Sequence, residues 1–124
     1  MRVFKTRDFA RFARRERISD EDLCEAIARA ERGLVDATLG GGLIKQWIAR
    51  RGQGRSGGFR TIIAYKRGDR CFFIYGFTKS ERDNVDDIEL AAIKIVAASW
   101  VTMPEPGIEK AIEEARLQEI TCDD

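Results

Sequence analysis

Hydrophobic and polar positions recur along this chain with two periods, and the switches between them mark its elements. Phe9, Phe12 and Ala13 share one face of a helix that Thr6 can cap, and Leu23, Ala26, Ile27, Ala30 and Leu34 repeat the same helical spacing. Ser19 opens the second helix with an acid three residues on, and Asp20, Glu21 and Asp22 place negative charge at the positive end of its dipole; Gly33 lies where it can stop. After Gly40-Gly41-Gly42 the period falls to two. Leu43, Lys45, Trp47 and Ala49 then share one face and Ile44, Gln46, Ile48 and Arg50 the other. Residues 59–66 and 71–77 are richer still in aromatic and β-branched side chains, and Lys66-Arg67-Gly68-Asp69-Arg70 is the hairpin turn between them.

These segments predict a meander of three antiparallel strands with Val3-Phe4 added at an edge. Asp86, with Glu89 three residues on, starts another helix. Its apolar positions from Ile88 to Trp100 spread widely around the axis, so that helix is largely buried or meets a partner. Pro104 and Pro106-Gly107 stop it, Ile108, Ala111, Ile112 and Ala115 mark a last amphipathic helix, and residues 117–121 read as a short terminal strand. The expectation is one α+β domain over residues 1–124: an N-terminal helical hairpin packed on a small antiparallel β-sheet, with one or two C-terminal helices and an acidic tail from 105.

Charge adds a direction to this picture. The whole chain is nearly neutral, with 22 basic and 21 acidic residues, yet from Lys45 to Arg70 eight bases face one acid, Asp69. Residues 105–124 restore the balance with seven acids against two bases. Such polarity on a neutral protein favours a polyanion on one face, and RNA is the first polyanion to consider. Arg11, Arg14, Arg15 and Arg17 form either a solvated helix face or a surface for phosphate or a protein partner. The acidic tail either completes the fold as a solvated helix, or modulates access to the basic face or helps bind a protein partner.

Several chemistries are excluded. Histidine is absent, which removes serine and cysteine triads and His-dependent ribonuclease chemistry together. Acid–base work falls to Lys, Arg, Tyr, Asp or Glu. Cys24, Cys71 and Cys122 are scattered without metal-ligand spacing, so they read as small packing residues or free thiols in a reducing compartment. No apolar run approaches the ~20 residues of a membrane helix, and a cytoplasmic location is expected.

Gly52-Gln53-Gly54-Arg55-Ser56-Gly57 matches a dinucleotide-binding pattern by letter, but that pattern needs a helix after it and a strand is predicted here. The glycines instead allow close approach of backbone to a ligand among Arg51, Arg55 and Arg60, and Gly57-Gly58 allow a positive φ or a bulge that aims Arg60 into a cleft. Lys79, Glu81 and Arg82 stand at a strand end, where polar side chains reach a ligand while the sheet holds them still. Lys79 is the functional candidate there and Glu81 the structural one.

Gly54-Arg55-Ser56-Gly57-Gly58-Phe59-Arg60 and the segment 72–84, with the helix after it, resemble the RelE/ParE superfamily of toxins from type II toxin–antitoxin pairs, most closely its HigB-like or phage-derived branch. The resemblance implies a RelE-like fold and a ribosome-dependent messenger-RNA endonuclease, an mRNA interferase that inhibits translation and is neutralised by a cognate antitoxin, expected to be a helix-turn-helix protein. It implies catalytic roles for Arg60, Lys79 and Arg55, RNA binding by Lys45, Arg50, Arg51, Lys66, Arg67 and Arg82, and no cofactor or metal. The expected partners are the ribosome and mRNA, with no membrane, and the assembly a homo-oligomer or a toxin–antitoxin hetero-oligomer. Ser80 and Asp86 stand where the best-known RelE enzymes carry an arginine and a tyrosine. A ParE-type toxin that inhibits DNA gyrase, or a non-catalytic nucleic-acid-binding module, are the alternatives on the same fold.

Overall fold

The computed structural model describes residues 1–50, 54–81 and 84–122, with backbone alone at 50 and 54–56. Local chemistry sets its helices. The Thr6 hydroxyl accepts from the Phe9 amide at 3.3 Å to start α1 (Arg7–Glu16), and Ser19 and Asp22 form a reciprocal capping box at the start of α2 (Asp20–Glu31). Phe9, Phe12 and Ala13 are buried on one side of α1, and Leu23, Ala26, Ile27 and Ala30 on one side of α2. Asp86 and Glu89 cap α3 (Asp87–Val101) in the same reciprocal way, and Pro104 precedes α4 (Glu105–Glu113).

The strands are β1 (Arg2–Thr6), β2 (Ala37–Gly40), β3 (Leu43–Arg50), β4 (Gly54–Lys66), β5 (Arg70–Thr78) and β6 (Leu117–Ile120), and they form one sheet in the order β2-β3-β4-β5-β1-β6. The meander β3-β4-β5 is antiparallel, as the alternation implies. Three features differ from the expectation. β1 lies inside the sheet, parallel to β5 and antiparallel to β6, instead of at an edge. The sheet has six strands, because Ala37–Gly40 folds back antiparallel on β3 through the left-handed glycines Gly40, Gly41 and Gly42 and β6 joins β1, and it is mixed because β1 runs parallel to β5. A strand also precedes the helical hairpin in the chain.

Both faces of the sheet are covered. Val3, Ile44, Ile48, Phe59, Ile63 and Phe73 meet α1 and α2, while Phe4, Leu43, Ile62, Phe72 and Phe77 meet α3 and α4. Neighbouring residues such as Val3/Phe4 and Phe72/Phe73 divide between the two cores, as a pleated strand requires. Phe72, fully buried, stacks on Phe4 at 5.0 Å and on Trp100 at 6.0 Å, and burial of one such ring contributes roughly 1.5–3 kcal/mol. Gln46 ties α2 to β3: its amide donates to the Ala26 carbonyl at 2.9 Å and its oxygen accepts from the Asp36 amide at 2.9 Å.

The acidic C-terminal region is part of this framework. Arg2 bonds Glu105, Glu109 and Glu119 at 2.8–3.1 Å, and buried Arg70 bonds Glu105 at 2.5 Å and the Met103 carbonyl at 2.6 Å. Arg70, counted within the basic stretch, is thus spent on holding the α3–α4 turn. Cys24 and Cys122 form a disulfide across 98 residues, so the expectation of free thiols holds only for buried Cys71. Pairing of β6 with β1 brings Cys122 beside α2, a proximity that cysteine spacing cannot express. Among the described residues no helix is long and apolar enough to cross a membrane.

Candidate functional site

On the α3 side, strand register assembles the candidate residues into rows. Lys45, Ile62 and Tyr75 lie opposite one another on β3, β4 and β5, and Trp47, Arg60 and Phe77 form the next row. The Lys79 amide donates to the Gly58 carbonyl at 3.2 Å, which extends the register one step past the strand and brings Lys79 out on the same face. Arg60 is therefore the centre of the patch, with an aromatic ring on either side and Lys45, Tyr75 and Lys79 as diagonal neighbours, at about 7–8 Å between backbones. That spacing lets two long cationic side chains reach one phosphate.

The charges of the patch are unequally engaged. Arg60 Nη1 is buried without a hydrogen-bond partner among the described residues, and Lys79 is exposed with no ion pair there. Lys45 Nζ donates to Asn84 Oδ1 at 2.7 Å, and Tyr75 Oη donates to Glu89 Oε2 at 3.2 Å. Glu89 also accepts from the Asp86 amide, so the acid nearest Tyr75 belongs to the cap of α3. Glu81 accepts from the Thr78 hydroxyl at 2.7 Å and anchors the turn that presents Lys79, in line with its expected structural role.

The β3–β4 register shifts between Ile48, opposite Phe59, and Arg50, opposite Gly54, the irregularity expected around Gly57-Gly58, and Gly58 has a further task. A Cβ there would stand 2.2 Å from Trp47 Nε1 and 2.6 Å from the Ile48 carbonyl oxygen, so the absence of a side chain lets the indole lie across β4 beside Arg60. Gly58 does not have a positive φ. The strand β4 runs on from Gly54, so no helix follows the glycine-rich segment, as predicted against a dinucleotide site.

Not every predicted residue reaches this patch. Lys66 pairs with Asp69 at 3.1 Å and Arg67 donates to the Glu31 carbonyl at 3.3 Å, both at the opposite end of β4, about six residues or 20 Å from Arg60. Arg51 and Arg82 lie outside the described residues, as do the side chains of Arg50 and Arg55 on β3 and β4. Ser80 stands 3.1 Å from the Thr78 hydroxyl, and Asp86 caps α3 through the Glu89 amide at 2.8 Å. Both positions where RelE enzymes carry functional side chains are thus given to local structure. Trp47, Tyr75 and Asn84 were not singled out by sequence; the alternation that put Lys45 and Trp47 on one face held the signal for Trp47.

A search of curated proteins finds no match. A family model described as the RelE toxin of the RelE/RelB toxin–antitoxin system matches residues 1–120, which takes in the mixed sheet, the Arg60 patch and β6. The chain belongs to the RelE toxin family, and so is a toxin that pairs with an antitoxin.

Proposed function

We propose that this toxin is a cytoplasmic, ribosome-dependent messenger-RNA endonuclease, of the HigB-like or phage-derived branch, in which the Arg60 patch grips the scissile phosphodiester. The observation that carries the proposal is the buried, unpartnered Nη1 of Arg60 on the same face as the exposed Lys79. A buried guanidinium nitrogen without a hydrogen-bond partner is costly in the free protein and attractive to a phosphate oxygen. The 2′-oxygen attacks the adjacent phosphorus, the bond to the 5′-oxygen breaks, and a 2′,3′-cyclic phosphate and a 5′-hydroxyl result. Arg60, with Arg55, stabilises charge that develops on the phosphorane, and Lys79 moves the proton. Lys45, Arg50, Arg51 and Arg82 hold the flanking phosphates, and Trp47 offers a surface on which a base can stack.

Primer extension on transcripts after induction tests this, in cells and with purified ribosomes. Arg60→Ala and Lys79→Ala, shown to be folded by circular dichroism, are each expected to lower cleavage by roughly 10²–10³-fold, the range for loss of one preorganised donor. Intact cleavage in both variants, or unbroken transcripts together with inhibited DNA supercoiling, would overturn the proposal, and the latter outcome would identify a gyrase-directed toxin.

A further inference from the structure

Attack of a 2′-oxygen on phosphorus moves two protons. One leaves the 2′-hydroxyl as its oxygen bonds to phosphorus, and one must reach the 5′-oxygen as that bond breaks. Attacking and leaving oxygens stand roughly in line across the phosphorus, so the two transfers take place on opposite sides of a gripped phosphate. With no histidine in the chain, two other side chains must flank the cation that grips it.

The patch offers such a pair. Tyr75, Phe77 and Lys79 follow one another on the α3 face of β5 and its exit, and Arg60 stands opposite the middle one, Phe77. Tyr75 and Lys79 are therefore on either side of Arg60, four residues or about 13 Å apart along the backbone. A phosphate held by Arg60 lies between them. Tyr75 is half-buried with its ring 6.1 Å from that of Phe77, which keeps it on this face.

Hydrogen bonding separates the roles of the two side chains. Tyr75 Oη donates its proton to Glu89 Oε2 at 3.2 Å, so toward a substrate hydroxyl the phenol oxygen is an acceptor. Glu89 is fixed behind it: Oε1 accepts from the Asp86 amide at 3.3 Å, and the Glu89 amide donates to Asp86 Oδ1 at 2.8 Å in the cap of α3. A carboxylate held against a phenol can take the phenolic proton when the phenol gains another. Lys79 is exposed, and an ammonium has protons to give and no lone pair. Lys45 is less suited to either task, since it stands two strands from Tyr75 and its Nζ donates to Asn84 Oδ1 at 2.7 Å.

We infer that Tyr75 takes the proton of the attacking 2′-hydroxyl and relays its own to Glu89, while Lys79 protonates the departing 5′-oxygen. The inference rests on the nuclease reading and deepens it. As the 2′-oxygen bonds to phosphorus, its proton passes to Tyr75 Oη and the phenolic proton to Glu89 Oε2. As the bond to the 5′-oxygen breaks, its electron pair stays on that oxygen and receives a proton from Lys79. Glu89 ends as the acid and Lys79 as the amine, and exchange with water restores both. Glu89 touches no substrate and is a positioning residue that acts through Tyr75.

The test uses the full chain on ribosomes carrying one of two transcripts: a normal one, and one with sulfur in place of the 5′-oxygen at the cleaved bond. Tyr75→Phe keeps the ring and removes the oxygen. It should lower single-turnover cleavage of the normal transcript by roughly 10²–10³-fold, with binding of a 2′-deoxy transcript unchanged. A thiolate leaves without a proton, so on the sulfur transcript Lys79→Ala should recover to within roughly tenfold of the parent while Tyr75→Phe stays impaired. Glu89→Gln should lower cleavage roughly tenfold or more in the parent and add nothing in Tyr75→Phe, whereas a purely structural role in the α3 cap would lower both. Cleavage by Tyr75→Phe at the parent rate, with Arg60→Ala inactive, overturns the inference and leaves the nuclease reading standing. Recovery of Tyr75→Phe on the sulfur transcript, or loss of 2′-deoxy transcript binding, overturns it too, by making Tyr75 the acid or a binding residue. A parent toxin that cleaves neither transcript removes the inference and the nuclease reading together.

Discussion

Arg60→Met separates a residue kept for function from one kept for stability. In the parent chain a guanidinium nitrogen is buried without a hydrogen-bond partner among the described residues, flanked across the sheet by Trp47 and Phe77. An unsatisfied buried donor costs about 1–3 kcal/mol, and an apolar side chain of similar length between the same two cross-strand neighbours removes that cost. For 124 residues an unfolding entropy of ~2.1 cal/mol/K per residue gives ~0.26 kcal/mol/K, so the gain corresponds to a rise in Tm of roughly 4–11 °C. Differential scanning calorimetry reads that rise, and primer extension should show cleavage lost in the same protein. The complementary arm uses an anion: sulfate, or a 2′-deoxy dinucleotide that cannot be cleaved, should raise the Tm of the parent by about 2.7 kcal/mol equivalent at a hundredfold excess over Kd and leave the variant unmoved. A fall in Tm would mean that Arg60 is a structural cation with satisfied contacts. A rise in Tm with cleavage retained would mean that its strain serves some other purpose, and the phosphate-gripping role would be lost.

Two further outcomes concern the framework. Replacing Cys24 and Cys122 together by serine opens a closure of 98 residues and should cost up to about 4.7 kcal/mol by chain entropy, read as a lower urea midpoint than that of the oxidised parent and near that of the parent treated with reductant. Equal midpoints for oxidised and reduced parent would show that the bond contributes nothing to stability. Acid should loosen the C-terminal region: the hydrogen bond from Arg2 holds the Glu119 carboxyl below its ordinary value of 4.5, so its contribution is present above that pH and is lost as pH falls through the depressed value. Urea titrations between pH 7 and pH 3 should therefore show a shallower acid decline in Glu119→Gln than in the parent, and identical slopes would remove Glu119 from the account.

Much of this protein is local. Thr6, Ser19, Asp22, Asp86 and Glu89 specify helix starts through bonds that close within three residues, and alternation in 43–50 assigns Lys45 and Trp47 to one face because successive strand side chains must point opposite ways. Those signals need no knowledge of the rest of the chain. Membership of the toxin family was likewise legible in the segments around Arg60 and Lys79. The placement of β1 between β5 and β6, the Arg2 cluster with three glutamates and the Cys24–Cys122 bond join residues from 68 to 117 positions apart, and periodicity carries no information at that range. The same holds within the basic stretch. Composition cannot tell that Arg70 is enclosed by the α3–α4 turn, that Lys66 and Arg67 sit at the far end of the sheet, and that Arg60 stands at the centre of the patch with its Nη1 buried. Sequence by itself determined the elements, their faces and the family, since each depends on neighbours along the chain. Which guanidinium nitrogen is left without a hydrogen-bond partner among the described residues was decided only by the tertiary structure, because it is a property of what other parts of the chain reach and fail to reach.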